Sequence, residues 1–268
     1  MQKAKDITFK ILEFVYNKYN KREFVHPDPL EFLYNYTEKE DIELAGLISS
    51  SLAIGKVEKI LEAINKILIP LGTKPSKKLK KFNKDDLKII YKDFIYRFFK
   101  AEDIIKLMMA IKGIQEKYST IENIFYDIYK KNGNFISSLD ILITYMEKIN
   151  GESFGLLVPR PSKGSACKRL FLFLRWMIRK DEIDLGIWNK FNPSNLIVPM
   201  DTHMTDISFK LFNLKYNKNV NLKKAIEVTQ YFSNSNKNDP VKYDFSLTRF
   251  GINRKLKKED LFINILKL

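Results

Sequence analysis

Apolar residues recur at spacings of three and four along nearly the whole chain, and this periodicity restricts the fold more than any other feature. It is clearest at 57–68, where one helical face collects Val57, Ile60, Leu61, Ile64, Ile67 and Leu68. Similar stripes predict helices at 6–19, 41–53, 56–71, 85–99, 102–116, 120–131, 135–149, 165–180, 201–212, 222–232 and 243–250. No stretch sustains an alternation of period two, so the sequence predicts an all-α fold with few strands or none.

Capping residues mark the ends of several of these helices. Ser119 and Thr120 are suitable N-caps for the helix that follows them, and the Asn-Gly-Asn at 132–134 predicts its end. The HPDP sequence at 26–29 breaks the first helix, because each proline restricts the residue before it.

Length and composition exclude several classes of protein. The chain has 268 residues, of which 45% are hydrophobic, enough for one large domain or two lobes. Its single cysteine excludes a disulfide framework, a zinc finger and an iron–sulfur cluster, each of which needs several thiolates. The first residues have no cleavage site of small residues, and no apolar run reaches the about 20 residues of a membrane span. The expectation is a cytoplasmic monomer that does not enter a membrane.

The charge of the chain indicates a polyanionic partner. Lysine and arginine outnumber aspartate and glutamate by 47 to 32, a net charge of +15, and nucleic acid is the simplest partner for it. Two basic runs contain no acidic residue, at 74–84 and 158–180. The first is typical of a solvated loop. The second includes a strongly apolar helix, so its charges occupy defined positions at the two ends of that helix.

Three segments of this chain stand out as motifs: GLISSSLAIGKVEKI at 46–60, KGSACKRLFLFLRWM at 163–177 and VPMDTHM at 198–204. Together they resemble the helix-hairpin-helix DNA glycosylase superfamily, and the nearest likeness is to its archaeal 8-oxoguanine branch. VPMDTHM at 198–204 is similar to the segment around the catalytic aspartate of 8-oxoguanine DNA glycosylases. KGSACKRLFLFLRWM at 163–177 is similar to the hairpin and its second helix, and GLISSSLAIGKVEKI at 46–60 to an early helix-turn-helix. The whole chain also resembles an uncharacterised bacterial family grouped with these enzymes. The usual hairpin consensus is absent, and serines stand near 49–51 where a base-reading glutamine is usual.

This resemblance implies two catalytic residues. Asp201 is implied as the carboxylate that stabilises positive charge on the deoxyribose, and Lys168 as the amine that attacks C1′ and forms a Schiff base. Lys163 is the alternative nucleophile. The positive end of a helix and a neighbouring arginine would both help Lys168 to lose its proton. For both groups to reach one sugar carbon, we expect amine and carboxylate to lie about 4–7 Å apart.

Further residues are implied in binding. Phosphate contacts are expected at the hairpin and the start of the second helix, from Arg160, Lys163, Gly164, Ser165 and Arg169. The expected base pocket contains Ser51, Asp244 and His203. A target base must leave the stack, which needs an apolar wedge, and no single residue of the sequence stands out for that role.

The hypothesis is therefore a two-lobed, glycosylase-like enzyme without a cofactor. A helical barrel lobe at 40–195 would contain the hairpin, and residues 1–39 with 196–268 would form the second lobe. The activity would be removal of a damaged base, with 8-oxoguanine favoured, from double-stranded DNA, followed by β-elimination. Two alternatives remain open: a DNA- or RNA-binding protein on the same scaffold without chemistry, and a metal-dependent phosphohydrolase using Asp201, His203 and Asp206.

Overall fold

The computed structural model describes residues 2–215, 220–252, 256 and 261, and side chains from residue 8 onward. Within these residues the regular secondary structure is helical apart from one short hairpin and two isolated β-bridges, which confirms the all-α prediction. The α-helices are α1 (Gln2–Tyr19), α2 (Lys39–Ser51), α3 (Val57–Leu68), α4 (Pro75–Lys81), α5 (Lys84–Ile90), α6 (Ala101–Tyr118), α7 (Ile121–Asn132), α8 (Phe135–Asn150), α9 (Lys168–Ile178), α10 (Thr202–Leu211), α11 (Leu222–Ser233) and α12 (Asp244–Ile252). Short 3-10 helices lie at Arg22–Phe24, Pro29–Asn35, Ile69–Leu71, Pro161–Lys163 and Pro193–Asn195.

One predicted helix is wrong over half of its length. The stretch 85–99 was expected to be one helix, but α5 ends at Ile90, and a hairpin follows with strands β1 (Ile95–Tyr96) and β2 (Phe99–Lys100). Aromatic and β-branched residues dominate 94–99, and these side chains fit a pleated strand better than a helix. The basic run at 74–84 also forms the short helix α4 rather than a loop, with its lysines exposed.

Chain contacts divide the protein into two compact units, which differ in bounds from the two predicted lobes. The terminal unit contains Met1–Val25, Gly164–Gly186 and Asn192–Leu268, and the central unit contains His26–Lys163 and Ile187–Phe191. The predicted barrel lobe included 164–186. In the structure this segment belongs with the chain ends, since α9 supplies buried side chains and ion pairs to partners in that unit.

The central unit is built on the nearly fully buried helix α2, with α6, α7 and α8 packed on one another. Thr120 caps α7 by accepting a hydrogen bond from the backbone of Asn123, and Gly133 ends that helix, as the capping pattern predicts. A buried carboxylate of α2 also binds the backbone at the start of α7. Glu43 accepts hydrogen bonds from the backbone N–H groups of Ile121 and Glu122 and from the indole of Trp188. Burial raises the pKa of Glu43 to about 7.

The terminal unit has its core along α9, whose apolar side chains are buried as the apolar run at 170–177 predicts. Helices α1 and α10 pack on α12 in the same unit. At one crossing a glycine is required: a Cβ atom at Gly251 would lie 2.2 Å from Nδ1 of His203, so α10 and α12 approach closely there. In the part of the chain that the structure describes, every helix is too short or too polar to cross a bilayer.

Candidate active site in the terminal unit

Lys168 occupies the first residue of α9 because the residue before it interrupts the helix. Cys167 adopts a left-handed conformation with φ of 48°, which non-glycine residues rarely take, and α9 begins immediately after it. The prediction that this helix begins at residue 165 is therefore wrong by three residues. The change of direction at Cys167 places the amine of Lys168 at the helix N-terminus, where positive charge is not stabilised by the helix dipole.

Asp201 is oriented by its own helix. It is the N-cap of α10, and its Oδ1 accepts a hydrogen bond of 2.7 Å from the backbone N–H of Met204. That bond holds one carboxylate oxygen, Oδ1, and the other oxygen, Oδ2, is the one nearer to Lys168. The capping role and a catalytic role are compatible, since they use different oxygen atoms.

The structure brings these two side chains together. Nζ of Lys168 lies 3.5 Å from Oδ2 of Asp201, with side-chain exposures of 31% and 18%. The distance is somewhat shorter than the expected window, and the two groups form an ion pair. The amine and the carboxylate come from different helices, and both remain partly exposed to solvent.

A second carboxylate, that of Asp244, lies close enough to Asp201 for the two charges to interact. Asp244, at the start of α12, is buried, and its Oδ2 accepts a hydrogen bond from Nη1 of Arg175. Within the described residues, no group donates a hydrogen bond to its Oδ1. Burial raises the pKa of Asp244 to about 6, Arg175 opposes that shift, and the nearby charge of Asp201 adds to it.

Sequence reasoning missed the buried network around Asp244. Arg175 also binds Asp184, with Nε 3.2 Å from Oδ1, and Arg179 binds Asp184, Asp239 and Asp181. The hydroxyl of Tyr16 donates to Asp181 as well. Arg175 within the apolar helix and Arg179 directly after it were the available signal, since a buried guanidinium requires carboxylate partners.

The three hairpin residues that were predicted to bind phosphate, Lys163, Gly164 and Ser165, lie outside α9. Lys163 ends a short 3-10 turn of the central unit, and its side chain is exposed. In the terminal unit, the carbonyl of Gly164 accepts a hydrogen bond from the backbone N–H of Leu222, and Ser165 forms a β-bridge with Asn221. Neither Gly164 nor Ser165 is part of α9, so the helix N-terminus that could bind phosphate begins at Lys168 instead.

The two arginines predicted to bind phosphate are already in contact with protein or partly buried. Arg160 binds Glu147 through Nη2 and Thr144 through Nη1, within the central unit. Arg169 is half-buried in α9, and burial lowers its pKa to about 10, so it keeps its charge at neutral pH. Arg160 in particular holds its loop against α8 through these contacts.

The remaining predicted pocket residues fall in two different units. His203 lies in the first turn of α10, two residues after Asp201, and packs on α12 at Gly251. Ser51 ends α2 as a buried residue of the central unit. The terminal unit therefore brings Lys168, Asp201, His203 and Asp244 into one group of helices, and Ser51 belongs to the other unit.

Across the described ranges, no group of three or more His, Cys, Asp and Glu side chains is arranged to hold a metal ion. Lys168 and Asp201 present an amine and a carboxylate to each other.

Comparison with known proteins gives one family. The sequence matches, over residues 28–253, the family model described as Protein of unknown function (DUF2400). No curated protein and no solved structure matches it. The matched range contains Lys168, Asp201 and Asp244.

Proposed function

We propose that this chain, which belongs to the DUF2400 family because the family model matches residues 28–253, carries out DNA base excision. The proposal is based on the site formed by Lys168 and Asp201. The enzyme would remove a damaged base from double-stranded DNA, with 8-oxoguanine favoured, and then cleave the strand by β-elimination. The observation that carries the proposal is the 3.5 Å ion pair between Lys168 and Asp201, which remains partly open to solvent.

The two groups suit the two steps of this reaction. Breaking an N-glycosidic bond develops positive charge on the deoxyribose, and a fixed carboxylate nearby lowers the energy of that transition state. Asp201 is held by its N-cap hydrogen bond, so it would not need to reorganise as the charge develops. Its Oδ2 lies 3.5 Å from the amine of Lys168.

Lys168 would supply the nucleophile. Its ammonium releases one proton, and the neutral nitrogen forms a bond to C1′ as the glycosidic bond breaks, its electron pair leaving with the base. The departing base takes up one proton, so the protons balance. The C1′–O4′ bond then opens as one proton passes from the nitrogen to O4′, which gives a protonated Schiff base. Loss of a C2′ proton to solvent forms the C2′–C3′ double bond, breaks the C3′–O3′ bond and expels the 3′-phosphate. The side chain of Lys168 would move away from Asp201 to admit the sugar between them.

The charge and the resemblance of the chain support DNA as the partner. The net charge of +15 favours a polyanion, and the segments around Lys168 and Asp201 are those that resemble helix-hairpin-helix DNA glycosylases. The proposal needs no cofactor, and we propose that catalysis proceeds equally in EDTA. Activity that EDTA abolishes would favour the metal-dependent phosphohydrolase instead.

A panel of labelled duplexes tests this function. Purified protein is incubated with duplexes that carry 8-oxoguanine, uracil, an alkylated purine or an abasic site, and products are separated on a denaturing gel. We expect strand cleavage at the abasic site and at one damaged base. Asp201→Asn should lose base excision by at least about 100-fold while keeping its affinity for the same duplex.

Asp206→Asn is the matched control for that variant. Asp206 lies on the same helix and also pairs with a lysine, 3.4 Å from Nζ of Lys210, but it is not the partner of Lys168. It should cleave like the wild type. Tight binding to these duplexes with no product from any of them would contradict the enzyme and leave the non-catalytic binding protein.

A further inference from the structure

The hairpin Ile95–Lys100 of the central unit exposes large apolar side chains at its tip. Ile95 pairs with Lys100 and Tyr96 with Phe99, which leaves Arg97 and Phe98 as a two-residue turn. Ile95 is 69% exposed and Phe98 61% exposed. Single exposed apolar residues are common on protein surfaces, but two within four residues on one tight turn form a patch that needs an explanation.

The hairpin is anchored by its other side chains, so the patch is held in a defined place. Tyr96 and Phe99 are buried, and the hydroxyl of Tyr96 donates a 2.6 Å hydrogen bond to the carbonyl of Ile54. Burying these two aromatics favours a fixed hairpin over a mobile loop. Phe98 is therefore presented on a rigid support.

Arg97 occupies a turn position that favours glycine or asparagine. Its φ is 53°, in the left-handed region, which costs most residues about 1 kcal/mol or more. Its guanidinium lies over the ring of Phe98, with Cζ 5.2 Å from the ring centroid. A strained arginine stacked on an exposed phenylalanine makes the tip a candidate contact point for a partner.

A glycine in the neighbouring turn makes room for this arrangement. A Cβ atom at Gly55 would lie 2.9 Å from Nη1 of Arg97 and 3.0 Å from the hydroxyl oxygen of Tyr96. The turn after α2 and the hairpin tip thus pack directly together. Lys56, the next residue, is exposed, so the turn adds a cation beside the tip.

The charges at the tip select the kind of partner. The hairpin carries Arg97 and Lys100 and no acidic residue, and Lys56 lies in the adjoining turn. An aromatic face accepts an unstacked base of any identity, while neighbouring cations contact the phosphates on either side. An apolar protein surface would use Phe98 and Ile95 but leave these cations without partners.

We propose that the tip formed by Arg97 and Phe98 is a stacking site for an unpaired nucleobase, with Lys56 and Lys100 contacting the flanking phosphates. The site takes single-stranded DNA or an unpaired base in a distorted duplex. It shares the nucleic-acid partner of the proposed function but not its chemistry, because no residue at the tip takes part in the reaction at Lys168.

Tryptophan fluorescence tests the stacking directly. The native tryptophans are buried, Trp176 at 1% and Trp188 at 2% exposed, so Phe98→Trp adds a solvent-exposed reporter that differs from them. Titration with an unmodified oligothymidylate should quench its emission, because thymine would stack on the indole. Ile89→Trp is the matched control: Ile89 is 73% exposed on α5 of the same unit, and its emission should stay unchanged.

Affinity provides the second measurement. Phe98→Ala should weaken binding of the oligothymidylate by about 5- to 100-fold, Phe98→Tyr should bind like the wild type, and Ile89→Ala should show no loss. The proposal is overturned if Phe98→Trp is not quenched at saturation, or if Phe98→Ala binds like the wild type. It is also overturned if Phe98→Ala changes only self-association in sedimentation experiments.

The test distinguishes this proposal from the proposed chemistry. Quenching of Phe98→Trp without cleavage of any duplex by the wild type would support the stacking site and contradict the enzyme. Cleavage by the wild type without quenching of Phe98→Trp would do the reverse.

Discussion

Helix α9 carries an ionic group at each end, and the two differ in how far water reaches them. At its start Lys168 pairs with Asp201, and these side chains are 31% and 18% exposed. Toward its end Arg175 and Arg179 bind carboxylates that include Asp184, and the side chains of these three residues are 4% exposed or less. The partly exposed pair is suited to contact a ligand, whereas the buried group is part of the protein core.

Energetics explains why this difference matters. A partly exposed ion pair stabilises a fold by only about 0–1 kcal/mol, so the contact between Lys168 and Asp201 adds little to stability, although Asp201 also caps α10. Removing one partner from a buried pair costs about 3–5 kcal/mol, because a charge is left in the core without compensation. Loss of the ion pair at the start of α9 should therefore change the free energy of unfolding little, whereas loss of an arginine at its end should lower that free energy strongly.

The largest effect is expected from the buried end. Arg179→Met should lower the free energy of unfolding by about 3–5 kcal/mol, because Asp181, Asp184 and Asp239 would lose their shared partner. Urea denaturation followed by circular dichroism measures it. A loss below about 1 kcal/mol would show that this network behaves like a surface pair, and the comparison would fail.

A pH titration sharpens the same contrast. Two guanidinium groups face four carboxylates in the network, and burial raises the pKa of Asp244 from 3.8 to about 6. The folded state then holds a proton that the unfolded chain releases, so this contribution to stability is complete below pH 3.8 and is lost as the pH rises through 6.

Asp244→Asn removes that proton. The unfolding free energy of the wild type relative to this variant should therefore fall by about 1–3 kcal/mol as the pH rises through this window, and then become constant. Urea denaturation of both proteins at several pH values measures the difference. A difference that rises with pH would mean that Arg175 holds Asp244 ionised and that burial is the weaker effect.

Gly251→Ala tests how the exposed pair is held. Alanine normally stabilises a helix relative to glycine, but here its Cβ would lie 2.2 Å from the ring of His203, two residues after Asp201. We expect a loss of about 1–3 kcal/mol in unfolding free energy and weaker strand cleavage, because α10 must move away from α12. Stabilisation by this variant would show that the packing of His203 does not position Asp201.

The smallest effect on stability is expected at the exposed end. Lys168→Met is the same type of change as Arg179→Met, yet it should alter the unfolding free energy by less than about 1 kcal/mol. It should abolish strand cleavage completely. A large loss of unfolding free energy would instead show that Lys168 stabilises the fold, and this would contradict the comparison of the two ends of α9.

Much of the fold could be predicted because helical periodicity and capping are local. The Thr120 cap, the end of α7 at Gly133 and the burial of α9 all follow from neighbouring residues. The hairpin Ile95–Lys100 could not be predicted, since four paired residues are too few to display a period of two beside a helical stripe. The left-handed turn at Cys167 gave no signal either, because glycine or asparagine usually marks such a position.

The residues of the candidate site also fall into a part that could be predicted from the sequence and a part that could not. A resemblance over short segments was enough to select Lys168 and Asp201, which the structure places in one ion pair. The buried network escaped prediction because its partners are distant in sequence: Arg175 binds Asp244, 69 residues away. Periodicity shows that a side chain is buried, but not which carboxylate it will meet.

Covalent trapping at Lys168 tests the central claim most directly. The wild type is incubated with an oligonucleotide duplex containing an abasic site and reduced with borohydride, and the cross-linked peptide is identified by mass spectrometry. Since Lys210 also pairs with an aspartate, Lys210→Gln serves as the matched control. We predict a cross-link on Lys168 that Lys168→Gln abolishes and that Lys163→Gln and Lys210→Gln retain. No covalent complex with the wild type, or a complex that persists in Lys168→Gln, would contradict the account.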